Sequence, residues 1–176
     1  AGIKLCETLY EDDNLDIVCL MPTNIYGIND NFDKFSGHVI PAMISKFVEA
    51  KKRLLKQVTL LGTGKPIREF LHAIDLARSI LIILHTPKKR LIQICGNKLP
   101  IMNIGSEEHI TIKKLAKLIA KSIKYTGKIK FDNNFPDGTH KKNLNSSKIR
   151  KLGWKSLIKL QSGIHNVVKT RLSKWN

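Results

Sequence analysis

Cysteines, acidic residues and long apolar runs are all scarce in this chain of 176 residues. The three cysteines show no Cys-x-x-Cys spacing, which argues against a disulfide framework or a zinc site and favours a reducing, cytoplasmic setting. The longest apolar run, Ile80–Leu84, falls far short of the ~18 residues that a membrane span requires. We therefore expect no membrane partner and no metal.

The shortage of acidic residues leaves a strongly basic chain, with 14 Asp and Glu against 31 Lys and Arg and a formal net charge of +17. Such a surface can bind nucleic acid or another polyanion. Most of the basic residues are lysines, however, and lysine suits a solvated surface, whereas arginine is the better reader of phosphates and bases. We expect the excess of basic residues to reflect compositional drift on helix surfaces rather than a nucleic-acid partner. Binding to a polyanion stays as the alternative.

Apolar patterning predicts strands that alternate with helices, which is typical of an α/β fold. The apolar run over 16–21 indicates a buried parallel strand. Shorter strands are predicted at 57–61, 101–104 and 129–131. Helical spacing is present over 1–10, 38–55, 70–85, 111–125, 146–152 and 161–175. The segments 23–36 and 86–99 are predicted to be loops.

Two histidines and one glycine-rich turn are candidates for chemistry. His38 begins a predicted helix, where it is either a general acid–base group or a capping or surface residue, and the residues alone favour the second interpretation. His72 is predicted to be a buried structural residue that holds a turn. Gly62-Thr63-Gly64 matches neither the GxxxxGK[ST] nor the GxGxxG phosphate loop and predicts a simple turn.

Short blocks of sequence, in a fixed order along the chain, carry a family resemblance. The most specific are Asn-Asp-Asn-Phe-Asp at 29–33, His-Val-Ile-Pro-Ala at 38–42 and Arg-Glu-Phe-Leu-His at 68–72. Others are Met-Pro-Thr-Asn-Ile-Tyr-Gly at 21–27 and Pro-Asp-Gly-Thr at 136–139. Together they resemble the GDP-L-fucose synthase family of extended short-chain dehydrogenase/reductases.

The resemblance implies a fold and an activity. The fold is the C-terminal part of a Rossmann-type NAD(P)-binding fold plus a smaller α/β substrate-binding domain. Residues 1–32 then form the tail of the nucleotide-binding domain, and 33–176 belong mainly to the substrate-binding domain. The family converts GDP-4-keto-6-deoxy-D-mannose to GDP-L-fucose by 3,5-epimerisation and 4-reduction, with NADPH (NADP) as cofactor, usually as a homodimer.

The resemblance also implies roles for individual residues. His38 corresponds to the general acid of epimerisation and contacts the cofactor. Further residues are implied to bind cofactor or substrate. The cofactor set is Pro22, Thr23, Asn24, Ile25 and His38, and the substrate set is Lys46, Leu61, Arg68 and Asp137. Leu61 departs from the family's tryptophan, and Ala73-Ile74-Asp75 keeps one acid of its usual Val-Asp-Asp.

In the family, the catalytic Tyr-x-x-x-Lys pair directly precedes the block that matches 1–7. The sequence is therefore expected to be the C-terminal half of a synthase and to be inactive alone. Two functions stay open at this point: part of a GDP-L-fucose synthase, or an inactive basic remnant that binds RNA or another polyanion.

Overall fold

The computed structural model describes residues 1–34 and 36–173, in which helices and strands alternate. The helices in this part are α1 Gly2–Glu11, α2 Val39–Lys52, α3 Ala73–Leu84, α4 Lys88–Cys95, α5 Ile112–Ile123, α6 Ser147–Arg150 and α7 Leu160–Ser173. The strands are β1 Cys19–Pro22, β2 Asn24–Tyr26, β3 Gln57–Leu61, β4 Ile67–His72, β5 Ile101–Ile104, β6 His109–Thr111 and β7 Lys128–Asp132. No helix among the described residues is long and apolar enough to cross a membrane.

Most of the strand pairs are parallel. β1 pairs with β5, β2 with β4 and β3 with β7, all parallel, and β6 joins β4 in antiparallel orientation. The register aligns Pro22 with Ile104 and Tyr26 with His72. The chain is thus mixed α/β with parallel sheets, as the sequence predicts.

Two apolar clusters lie on either side of β4. Phe70 packs into the larger cluster with α2, α5 and α7, whereas its neighbour Leu71 packs into the smaller cluster with β1, β5 and Trp154. Successive side chains of a strand point to opposite faces, so β4 can serve both clusters. β4 itself is therefore held between the two clusters.

Local signals in the sequence account for several elements. β3 and β5 have the predicted bounds. α5 begins as expected, because the hydroxyl of Thr111 accepts a hydrogen bond from the Lys114 N–H at 3.2 Å. α7 also follows its prediction, although Trp175 lies outside the described residues.

Four predictions about secondary structure are wrong. β1 begins only at Cys19, and its residues are half-buried or exposed rather than buried, because β5 is its only partner among the described strands. The segment 23–36 contains β2, and 70–85 begins with the end of β4 rather than with helix. The segment 86–99 contains α4.

Candidate active site

A cavity of about 1160 Å³ opens beyond the carboxyl ends of β1, β2 and β4. Open α/β sheets bind ligands at this edge. One wall consists of Pro22, Thr23, Asn24 and Ile25, and another of residues 141–144. Four of the five predicted cofactor residues therefore lie together on one side of this cavity, and the fifth, His38, also lines it.

Hydrogen bonds to β4 fix the first wall in place. The Thr23 hydroxyl and the Asn24 side-chain amide both donate to the backbone carbonyl of Glu69, at 3.1 and 2.8 Å. The Thr23 N–H donates to the Ile104 carbonyl at 3.0 Å. Pro22 remains exposed toward the cavity.

His38 lies at the rim of the same cavity. Its backbone is extended and forms the N-cap of α2, but its imidazole makes no capping hydrogen bond. The side chain is 84% exposed, and its Nδ1 lies 3.8 Å from Asp30 Oδ1. The prediction of a surface histidine is therefore confirmed, and the prediction that its ring caps the helix is wrong. The ring is available for other contacts.

His72, by contrast, is structural, as the sequence predicts. It is buried, and its Nδ1 accepts the Ile74 N–H at 3.2 Å, which caps α3. Its ring packs edge-on against Tyr26, with 5.2 Å between ring centroids. Burial lowers the pKa of His72, although the charge of Asp75 opposes this shift.

A second, smaller cavity of about 280 Å³ adjoins the first. Val39 lines both cavities. All four predicted substrate residues line the smaller one, namely Lys46, Leu61, Arg68 and Asp137. His38 and Arg68 therefore lie beside neighbouring cavities rather than in a single one.

Arg68 is fixed to the turn at 136–139. Its guanidinium donates to the carbonyls of Ile67 at 2.8 Å and Thr139 at 2.7 Å. Both bonds come from Nη1, and the side chain is half-buried. The cation is held in one place at the edge of the cavity.

Asp137 packs against the glycine-rich turn. Its carboxylate accepts hydrogen bonds from the hydroxyl and the N–H of Thr63, and these bonds lower its pKa. Gly62 has a φ of +80°, and a Cβ there would lie 2.5 Å from Asp137 Oδ1. The turn predicted at 62–64 is present, and its glycine allows the acid to approach.

Sequence reasoning missed Glu69, which is fully buried between the two walls of the larger cavity. Its two carboxylate oxygens accept the N–H groups of Glu107 at 2.7 Å and Leu144 at 3.0 Å. The available signal was a charged residue three positions before a buried His72, at the start of an apolar run. A buried acid needs donors, but the sequence does not show that they come from 38 and 75 residues away.

The described residues contain no group of three or more His, Cys, Asp or Glu side chains that could hold a metal ion.

Comparisons with known proteins give the family. The family model described as "NAD dependent epimerase/dehydratase family" matches residues 1–105. The chain is 39% identical over 164 residues to "Probable GDP-L-fucose synthase 1" of Oryza sativa subsp. japonica and 38% identical over 164 residues to "GDP-L-fucose synthase" of Escherichia coli K12. Each alignment covers 93% of this chain but 47% and 51% of the relative, so the chain spans about half the length of these proteins.

Solved structures agree with this similarity. A GDP-6-OMe-4-keto-L-xylo-heptose reductase from C. jejuni matches with a TM-score of 0.86 and 29% identity, over 99% of this chain and 59% of that one. None of these relatives has a name that refers to RNA, and the polyanion-binding alternative finds no support in them. The resemblance to GDP-L-fucose synthases is confirmed as a similarity, and the chain belongs to the NAD dependent epimerase/dehydratase family.

Proposed function

We propose that this chain supplies the substrate-binding half of a GDP-L-fucose synthase, an epimerase and reductase that converts GDP-4-keto-6-deoxy-D-mannose to GDP-L-fucose. The observation that carries the proposal is the junction of the two cavities at Val39. A histidine stands in the cavity beyond the parallel strands, and two cations, Lys46 and Arg68, line the cavity next to it. This arrangement suits a sugar nucleotide, because the reacting sugar would lie beside the histidine and the anionic diphosphate beside the two cations.

His38 serves as the proton donor in epimerisation. Removal of a proton beside the 4-keto group leaves an enolate, and protonation from the opposite face inverts the carbon. The donor must have a ring nitrogen that the sugar can reach. An exposed imidazole without a capping bond satisfies this requirement.

Arg68 and Lys46 bind the diphosphate. Arg68 is preorganised by its bonds to the Ile67 and Thr139 carbonyls, so little side-chain entropy is lost on binding. Asp137 stabilises the neighbouring turn through Thr63, and its charge balances the two cations. These residues supply affinity, whereas His38 supplies chemistry.

The residues of the larger cavity fit a nicotinamide cofactor. Pro22 and Ile25 offer apolar surface, and the segment lies beyond the carboxyl end of β1, where dinucleotides bind in such sheets. When bound, NADPH supplies the hydride for reduction at C4. Pro22, Thr23, Asn24, Ile25 and His38 would line its nicotinamide end, and Glu69 holds that wall through its carbonyl.

The wider setting follows from the same proposal. Residues 1–32 belong to the nucleotide-binding domain and 33–176 mainly to the substrate-binding domain, with 101–104 returning to the first through the pairing of β5 with β1. The complete enzyme has isomerase and oxidoreductase activities and works in the cytoplasm. It forms a homodimer, and sedimentation of the complete enzyme would measure that oligomeric state. The isolated 176-residue chain should oxidise no NADPH with the keto sugar above a buffer control.

The test joins residues 1–176 to the remaining half of the Escherichia coli relative. His38→Gln should lower solvent deuterium incorporation at C3 and C5 by roughly 10²–10⁴-fold and leave GDP binding within about twofold. Arg68→Ala should do the reverse, raising KM about tenfold or more, since a charge-assisted hydrogen bond contributes roughly 1.5–3 kcal/mol. Unchanged exchange in His38→Gln would refute the proposed role of the histidine.

A further inference from the structure

The carboxylate of Asp30, in the loop between β2 and α2, lies close to His38. Its Oδ1 lies 3.8 Å from His38 Nδ1, and both residues line the larger cavity. The two side chains differ greatly in exposure, with 17% of Asp30 and 84% of His38 accessible. Asp30 is therefore mostly shielded from solvent, while the imidazole is open to the cavity.

Hydrogen bonds within the loop fix Asp30. Its Oδ1 accepts the Asn31 N–H at 2.8 Å, and Asn31 Oδ1 accepts the Asp33 N–H at 3.0 Å. Asp33 Oδ1 in turn accepts the N–H and the hydroxyl of Ser36, at 2.7 and 2.9 Å. These successive bonds, most of them from side chain to backbone, link residues 30, 31, 33 and 36 to one another.

Close approaches also link the end of the loop to its middle and to α2. A Cβ on Gly37 would lie 2.3 Å from the Asp33 carbonyl oxygen. The hydroxyl of Ser45, on α2, donates to the carbonyl of buried Phe32. The loop is thus attached to the helix that begins at His38, and the Asp30 carboxylate has a defined position relative to that helix.

We propose that Asp30 is a positioning residue for His38. It holds the ring by Nδ1 and so presents Nε2 to the cavity. This inference rests on the proposed function, because it assigns His38 a proton to deliver. At 3.8 Å the contact is longer than a hydrogen bond, but such contacts in ligand-free sites are often long and tighten when substrate binds.

The proton balance favours this arrangement. The imidazolium gives its Nε2 proton to the enolate carbon, where a C–H bond forms, and the neutral ring keeps its Nδ1 proton. A carboxylate at Nδ1 stabilises that tautomer, as in the aspartate–histidine pairs of hydrolases. Neither an oxidant nor a further co-reactant is needed for the step.

The first experiment records ¹⁵N spectra of the 176-residue chain labelled at histidine, with His38→Gln to assign the signals. In the neutral ring of His38 we expect the Nδ1–H tautomer to predominate, and Asp30→Asn to shift the population to Nε2–H. Asp13→Asn, which removes an exposed acid in the turn after α1, should leave it unchanged. An identical tautomer ratio in the chain and in Asp30→Asn would overturn the proposal.

The second experiment uses the joined enzyme described above. Asp30→Asn should lower deuterium incorporation at C3 and C5 roughly tenfold or more, with KM within about twofold, and Asp30→Glu should restore part of the rate. A large loss in His38→Gln without any in Asp30→Asn would disprove the role of Asp30 alone. No loss in either variant would disprove the proposed function itself.

Discussion

The carboxylate of Asp137 accepts hydrogen bonds from both the N–H, at 2.9 Å, and the hydroxyl of Thr63, although 74 positions separate the two residues. The contact joins the turn at 62–64 to the turn at 136–139, which also holds Arg68 through the Thr139 carbonyl. The Thr63–Asp137 contact thus holds together the two turns that form one wall of the smaller cavity.

Thr63→Val should loosen this wall. The valine keeps the shape of the side chain but cannot donate, so Asp137 loses one of its two hydrogen bonds from Thr63 and Arg68 loses its fixed turn. We expect GDP to bind the chain about three- to tenfold more weakly, since a net hydrogen bond contributes about 1 kcal/mol. Calorimetric titration with GDP measures the change.

Thr59→Val is the matched control. Thr59 lies in β3, just before the turn, and lines neither cavity. Equal affinity for GDP in all three proteins would show that the Thr63–Asp137 contact does not organise the binding wall.

Glu69→Gln should open the wall at 141–144. Both carboxylate oxygens of Glu69 accept backbone N–H groups in a fully buried position, and the amide nitrogen of glutamine would face one of those donors. We expect unfolding to become easier by roughly 1–3 kcal/mol, with faster hydrogen exchange at the Leu144 and Glu107 amides. Glu11→Gln, at an exposed helix end, is the control, and unaltered exchange at both amides would contradict the assignment.

Asp75→Asn should weaken the fold most at neutral pH. Asp75 is fully buried, forms an ion pair with Arg78 at 2.7 Å and accepts the N–H groups of Leu157 and Ile158. Burial raises its pKa, but the hydrogen bonds from Ile158, Leu157, Arg78 and Ser156 outweigh this, so the pKa is lowered. We expect a loss of about 3 kcal/mol at pH 7.

The pH dependence of that loss follows from the direction of the shift. A carboxylate with a lowered pKa stabilises the folded state above its unfolded pKa of about 3.8 and loses this effect as the pH falls through the lower folded value. Urea unfolding of the chain and of Asp75→Asn should therefore give free energies that converge below pH 4. A difference that stays constant from pH 7 to pH 3 would contradict the assignment, and Asp13→Asn serves as the charge control.

The elements that local signals define could be predicted, and those defined by distant partners could not. The helix cap at Thr111 and the strand Gln57–Leu61 depend on residues that are adjacent in the sequence. β2 is three residues long within a polar segment and is a strand because Phe70–His72 pairs with it. An apolar run such as 70–74 fits either a strand or a helix by periodicity alone.

The candidate site shows the same division. Motifs identified His38, Arg68 and Asp137, and the structure brings each to one of two adjoining cavities. Glu69 and Asp30 were not predicted, because their roles depend on donors and rings supplied by other segments. Helix α4 was missed for a different reason: Pro87 and buried Leu91 are helical signals that the lysines around them obscured.

Leu61→Trp should strengthen binding in the smaller cavity. Leu61 ends β3, is 57% exposed and lines that cavity beside Arg68, so its present side chain offers little contact to a bound ligand. Tryptophan is well accepted in strands, and the exposed position avoids overpacking. An aromatic contact is worth roughly 0.5–1.5 kcal/mol beyond burial, which predicts GDP binding about two- to tenfold tighter in calorimetry, with unfolding unchanged. Leu55→Trp adds the same ring at an exposed site outside both cavities and should not alter affinity. Equal or weaker binding by Leu61→Trp, with the fold intact, would show that no planar group of the ligand lies against the end of β3.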